Sequence, residues 1–167
     1  MKTVAYIGLG SNQGDRLSLL SRALNALGAL PLEIVGRSSV YLTQPVEVTE
    51  QEDFVNQVVA CETELGALLL LRACLAIEQA MGRVRTIDKG PRLIDLDLLL
   101  HGDSIVRTAE AVVPHPRMHL RRFVLVPLVE IAPSARHPLL GATAAEMLLR
   151  CPDRSRVRRL TDESPTV

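Results

Sequence analysis

Aromatic side chains are scarce in this 167-residue chain: two Phe, two Tyr and no Trp, 2% in all. A core made from it is therefore aliphatic, and Phe54 and Phe123 stand out as possible ring contacts. Lysine is scarce too, with only Lys2 and Lys89 among 19 basic residues. No charge sign dominates, since 19 acidic residues balance the 19 basic ones. That balance argues against a general nucleic-acid binder, which carries a basic excess. The three cysteines, Cys61, Cys74 and Cys151, are odd in number, far apart and without a CxxC pair. They read as reduced thiols of a cytoplasmic protein. No apolar run approaches the ~18 residues of a membrane span. The start, MKTVAYIGLGS, has no signal-peptide core, so a cytoplasmic protein with no membrane partner is expected. The G-x-x-x-x-G-K-[ST] phosphate loop is also missing.

What is present is 47% hydrophobic, enough for the core of one domain, expected over 1–167 with a loosely ordered charged tail over about 151–167. TVAYIGLGS alternates and reads as a strand. GDRLSLLSRALNALGAL reads as an amphipathic helix on Leu17, Leu20, Leu24 and Leu27, with Asp15 as its N-cap. EIVGRSSVYLT and FVNQVVACETEL are strands two and three. GALLLLRACLAIEQAMG is helix two, with Glu78 on the stripe Leu71, Leu75, Glu78, Gly82. GPRLIDLDLLLHG is strand four. A short helix is expected near Arg121 to Ile131 despite Pro127, and another over GATAAEMLLR. The order strand–helix–strand–strand–helix–strand is that of an α+β, ferredoxin-like fold. It predicts a mostly antiparallel sheet with helices packed on one face and the other face open for a site.

The strongest chemical signal is Asp95 and Asp97 inside that apolar fourth strand. Residues i and i+2 of a strand share a face, so the two carboxylates stand together, with Ile94, Leu96, Leu98 and Leu100 opposite. Two wet surface acids would fit the spacing. A pair that binds a hard divalent cation fits the apolar setting better. Just before them come Arg83, Arg85, Lys89 and Arg92, whose guanidinium forks suit phosphate oxygens. Acids, metal and arginines form the constellation of phosphoryl-type transfer. A metal-dependent phosphohydrolase would share it, and a ligand-sensing module would not need it. Glu78 turns an acid inward and suits a partner for one of the arginines. His115 and His119 have an i, i+4 spacing, but Pro116 and the lack of a third ligand argue against zinc. Asn56 shares its strand face with Phe54, so an aromatic and an amide together could hold a flat heterocycle. GLGSNQG is one residue too long for the dinucleotide fingerprint and reads as a glycine-rich turn.

Taken in order, YIGLGSNQGD, YLTQP, DFVNQVV, IEQAMGRVR, GPRLIDLDLLLHG, VPHPRM and LRRFVLVPLVEIAP resemble the 6-hydroxymethyl-7,8-dihydropterin pyrophosphokinases of folate biosynthesis, from residue 4 to about residue 134. The resemblance implies a ferredoxin-like fold, ATP and a pterin as substrates, two Mg²⁺ ions, and AMP and the pterin diphosphate as products. The residues alone fit transfer of the terminal phosphate equally well. By motif match, Asp95 and Asp97 are implied as metal-binding acids, with Asp95 also beside the pterin. Arg83, Arg85, Arg92, His115 and Arg121 are implied as ATP contacts, with Arg83, Arg92, His115 and Glu78 counted in the catalytic set. Phe54 and Phe123 are implied as walls of the pterin site, with Asn56 and the backbone of Thr43 and Val46 on its polar edge. A monomer that binds neither nucleic acid nor membrane is the matching expectation for partners.

Overall fold

Alternation of apolar and small or polar residues builds the sheet, and helical stripes cover it. The computed structural model describes residues 1–43, 53–82 and 93–160. Its elements are β1 (Thr3–Ser11), α1 (Arg16–Gly28), β2 (Leu32–Arg37), β3 (Tyr41–Thr43), β4 (Phe54–Thr63), α2 (Ala67–Ala80), β5 (Asp95–His101), β6 (Val106–Arg107), β7 (Val112–Val113), α3 (Arg122–Ile131), α4 (Ala144–Arg150) and β8 (Val157–Arg159). A 3₁₀ turn, Met118–Leu120, precedes α3. The main sheet has six strands in the order β5-β1-β4-β3-β8, with β2 also on β4, and every pair described is antiparallel. With β2 and β3 counted as one interrupted strand, this is the order 4-1-3-2 of a ferredoxin-like βαββαβ unit.

One face of the sheet is the main core. Ala5, Ile7 and Leu9 of β1, Val55, Val59 and Cys61 of β4, and Leu96 and Leu98 of β5 pack there against Leu20, Ala23 and Leu27 of α1 and Leu70, Cys74 and Ile77 of α2. Both helices thus lie on the face the element order predicts. Their stripes are shifted from the expected ones. Leu17 and Leu75 are exposed, while Leu19, Leu70 and Cys74 are buried. Leucine on every side of these helices makes periodicity a poor guide to the buried face. Asp15 caps α1 as expected, accepting from the Ser18 N–H at 3.2 Å.

The second face is partly covered rather than wholly open. Val58, Leu99 and Leu100 meet Met118, Val124, Leu125 and Leu128, with Met147 of α4 and Cys151 behind them. Leu100 was expected beside Leu96 and Leu98. A β-bulge moves it: Ile7 pairs with Leu98, but Tyr6 pairs with Leu100. The extra residue reverses the alternation, so Leu99 and Leu100 both serve the second cluster.

Residues 151–160 of the expected tail depart from expectation, and 161–167 lie outside the described residues. Cys151 is buried, and β8 adds a strand to β3 through Tyr41–Arg159, Leu42–Arg158 and Thr43–Val157 pairs. Glu130 of α3 secures this edge. It accepts from the Ser39 N–H (2.9 Å), the Ser39 hydroxyl (2.8 Å), the Tyr41 hydroxyl (2.7 Å) and Arg159 (2.8 Å). Among the described residues, no helix is long and apolar enough to cross a membrane.

Candidate active site

Cross-strand register lines up the polar residues of the second face. Gly10 of β1 pairs with Asp95 of β5 on one side and Asn56 of β4 on the other, and Asn56 pairs in turn with Tyr41 of β3. The next row is Asp97, Gly8 and Val58. Directly opposed residues in a sheet point to the same side. Two acids on β5 and an amide on β4 therefore face the same space across a strand that carries glycine at both intervening positions. Gly8 and Gly10 lie within a strand and do not form the turn expected of them. Of the three glycines in that motif only Gly14 has a positive φ, at 69°. Their contribution is the missing side chain. A Cβ on Gly10 would sit 2.5 Å from Asn56 Oδ1, and one on Gly8 would touch Leu99. The result is a trough with a glycine floor.

The Asn56 amide is oriented. Its Nδ2 donates to the Thr43 hydroxyl at 2.6 Å, which turns Oδ1 toward the floor over Gly10. Thr43 was expected to act through its backbone; its side chain has this second part. Phe54, two residues before Asn56, and Phe123 at the start of α3 are both only partly buried. Neither belongs to the fully buried core, although Phe123 leans on the second cluster. The Arg121 guanidinium lies 5.7 Å from the Phe123 ring centroid, a cation–π distance that joins an expected nucleotide contact to an expected ring wall.

His115 is held at the bulge: its N–H donates to the Leu99 carbonyl at 2.9 Å. Its Nδ1 accepts from the Arg117 N–H at 3.1 Å, which leaves Nε2 to carry the proton. Burial, with help from Arg121 and Arg117, pushes its pKa down to about 4. The ring is thus neutral at pH 7 and offers one N–H donor. His119 instead packs edge-on against His137 at 6.2 Å, and among the described residues no group of three His, Cys, Asp or Glu includes it. Burial drives the Cys61 and Cys74 thiols up to about 11 and about 12, so neither is a nucleophile.

Strand register sets Asp95, Asp97, Asn56, Thr43 and Phe54 on one side of the sheet; Phe123 packs on the cluster that covers that side, with Arg121 over its ring, and the His115 backbone is bonded to β5 at Leu99. Glu78 is buried, as its stripe predicted, but it meets β5 from α2. Val46, Arg83, Arg85, Lys89 and Arg92 lie outside the described residues. Sequence reasoning missed the glycine floor and the Thr43–Asn56 bond. The signal for the first was present: Gly8 and Gly10 fall on the side opposite Ile7 and Leu9, and glycine inside a strand marks a close approach.

Among the described residues, no cluster of three or more His, Cys, Asp or Glu could hold a metal alone. Two carboxylates on one face do suit Mg²⁺, which takes one or two protein acids and completes its shell with water and phosphate.

An α+β sheet with paired acids at one edge and an aromatic and amide-lined trough beside them suits an enzyme that brings a cation-bound anion next to a flat ring. Comparison with known proteins makes this specific. Residues 6–133 match the family model described as 7,8-dihydro-6-hydroxymethylpterin-pyrophosphokinase (HPPK), and the chain belongs to that family. It is 45% identical over 149 residues to a 2-amino-4-hydroxy-6-hydroxymethyldihydropteridine pyrophosphokinase of Methylorubrum extorquens, covering 89% of this chain and 93% of that one. The Pseudomonas aeruginosa protein of the same name is 41% identical over 148 residues, with 88% and 91% covered. The fold is shared with the Plasmodium falciparum HPPK-DHPS crystallised with pteroate, at a TM-score of 0.71 and 15% identity. That match covers 90% of this chain and 42% of the longer one.

Proposed function

We propose that the trough on the second face is where this chain carries out the reaction of its family. The enzyme transfers the pyrophosphoryl group of ATP to the hydroxymethyl oxygen of 6-hydroxymethyl-7,8-dihydropterin, a step of folate biosynthesis. The hydroxymethyl oxygen attacks the β-phosphorus, the bond to the α-phosphate oxygen breaks, and AMP leaves. The observation that carries this reading is the row Asp95–Gly10–Asn56. It sets an acid, a floor without side chains and an amide across three adjacent strands, which suits a flat heterocycle lying on the sheet with its reactive arm toward β5.

In this reading Phe54 and Phe123 bound the ring. Asn56 Oδ1 accepts an N–H from the pterin edge, held to that task by Thr43, with backbone of Thr43 and Val46 beside it. Arg83, Arg85, Arg92 and Arg121 bind the triphosphate. His115 donates Nε2–H to a phosphate oxygen and, being neutral, draws no proton from solvent at pH 7. Asp95 and Asp97 would hold Mg²⁺, two ions in all, and the metal would supply neutralisation of phosphate charge. The residues supply positioning and charge and no covalent intermediate. A monomer working in the cytoplasm, with the whole of 1–167 as one domain, completes the proposal.

The test is a product assay with ATP, Mg²⁺ and the hydroxymethyl pterin. AMP is expected to appear in step with pterin diphosphate. Stoichiometric ADP would make the protein a simple kinase, and free phosphate a hydrolase.

A further inference from the structure

Glu78 sits on the last turn of α2 with 2% of its surface exposed. Its carboxylate accepts from the Leu96 N–H at 2.7 Å. Leu96 is the residue between Asp95 and Asp97, and its own side chain is buried in the main core on the opposite side from the trough. Among the described residues β5 is the end strand of its sheet, paired only with β1. Alternate residues of an antiparallel end strand turn their N–H away from the neighbour. A buried N–H so placed has no ladder partner and must find one elsewhere. Glu78 reaches up from the helix below to supply it.

We propose that Glu78 is a positioning residue, whose carboxylate locks the Leu96 peptide and thereby sets the aim of Asp95 and Asp97 into the trough. The peptide planes on either side of Leu96 decide where its two neighbours point. If the Leu96 peptide tilts, Asp95 and Asp97 turn relative to each other, and a cation that needs both loses one. Glu78 then belongs to the shell behind the metal-binding acids, where loss of an orienting partner weakens metal binding by roughly 10–100-fold. The inference rests on reading Asp95 and Asp97 as the metal-binding pair.

Glu78→Leu removes the acceptor, and Glu78→Gln keeps an oxygen of the same reach without the charge. Two readouts separate the roles in the full chain. The first is hydrogen exchange of the Leu96 amide in protein free of metal and nucleotide, with the Leu9 amide as internal reference. The second is the Mg²⁺ concentration for half-maximal turnover. In Glu78→Leu, Leu96 exchange is expected to accelerate and the half-saturating Mg²⁺ to rise at least tenfold, with the pterin KM within about twofold. Glu78→Gln is expected to restore both. If Glu78→Gln is as impaired toward Mg²⁺ as Glu78→Leu, the side chain acts as a charge and the proposal fails. It fails too if Leu96 stays protected in Glu78→Leu. Should Glu78→Leu not fold, Glu78→Gln decides: a protected Leu96 amide with an unchanged Mg²⁺ requirement upholds the proposal, and loss of either overturns it. A wild-type enzyme indifferent to Mg²⁺ would remove the metal reading, and Leu96 exchange would then decide the Glu78 bond on its own.

Discussion

The two faces of the sheet are made from the same strands and behave as different materials. On one side β1 presents Ala5, Ile7 and Leu9, all at most 2% exposed and locked under α1 and α2. On the other, the alternate positions of the same strand are Tyr6, Gly8 and Gly10. Strand β4 divides likewise, with Val55 and Val59 down and Phe54, Asn56 and Val58 up. The difference teaches how a small aliphatic chain holds a site at all. It concentrates its packing energy on one face, so that the other can carry two carboxylates, bare glycine and a half-covered ring without unfolding.

Substitutions should therefore separate cleanly by face. Asp95→Ala and Asp97→Ala are each expected to lower turnover at least ~10²-fold, the scale for losing one preorganised charge-bearing group. Their melting temperatures should stay close to the parent's, because both side chains are only partly buried and lie on the face opposite the main core. Leu9→Ala, one residue from Gly10 but facing down, is expected to cost about 2–5 kcal/mol of stability. The molecules of that variant that remain folded should turn over normally. Turnover and thermal melts of all three proteins check the division, and a Leu9→Ala protein of full stability and poor activity would break it.

A smaller effect sharpens the contrast at a single atom. Gly10→Ala adds a methyl group 2.5 Å from Asn56 Oδ1, so the amide must swing and give up its bond to Thr43. A net hydrogen bond of about 0.5–1.5 kcal/mol predicts a roughly twofold to thirteenfold higher pterin KM. The KM for ATP should not move. Equal changes in both would mean that the floor supports the whole site and not the ring alone.

The smallest effect concerns protons. His115 has its pKa lowered from 6.5 to about 4, chiefly by burial. Below pH 6.5 the unfolded chain takes up this proton while the folded chain still refuses it. The stability His115 permits is thus complete above pH 6.5 and declines as pH falls toward 4. Denaturant melts across that window should show a shallower acid decline in His115→Gln than in the parent. An unchanged slope would mean the imidazole is not sheltered.

Much of this was legible in the sequence. The βαββαβ order, the inward Glu78 and the shared face of Asp95 and Asp97 follow from period-two and period-3.6 patterns, which are local. What escaped was non-local. The bulge that re-aims Leu100 depends on how β1 and β5 mesh. The glycines of β1 look like turn residues until Asp95 and Asn56 are seen on either side. The polar tail looked unstructured because its hold on the fold comes from partners about 30 to 120 residues away: Arg159 reaches Glu130 and Ser39. The arginine-rich stretch 83–92 was assigned to phosphate from composition and resemblance, and it lies outside the described residues.

That same tail bears on how the protein is made. Strand β3, which carries Thr43, gains β8 as its outer neighbour only from residues 157–159. A chain emerging from the ribosome N-terminus first exposes Tyr41–Thr43 long before their last partner exists. Until then the outer edge of β3 is a row of unpaired N–H and C=O groups, open to pairing with another nascent copy. Among the described residues β8 closes that edge, so a protein lacking residues 157–159 would keep the site nearly whole and become adhesive.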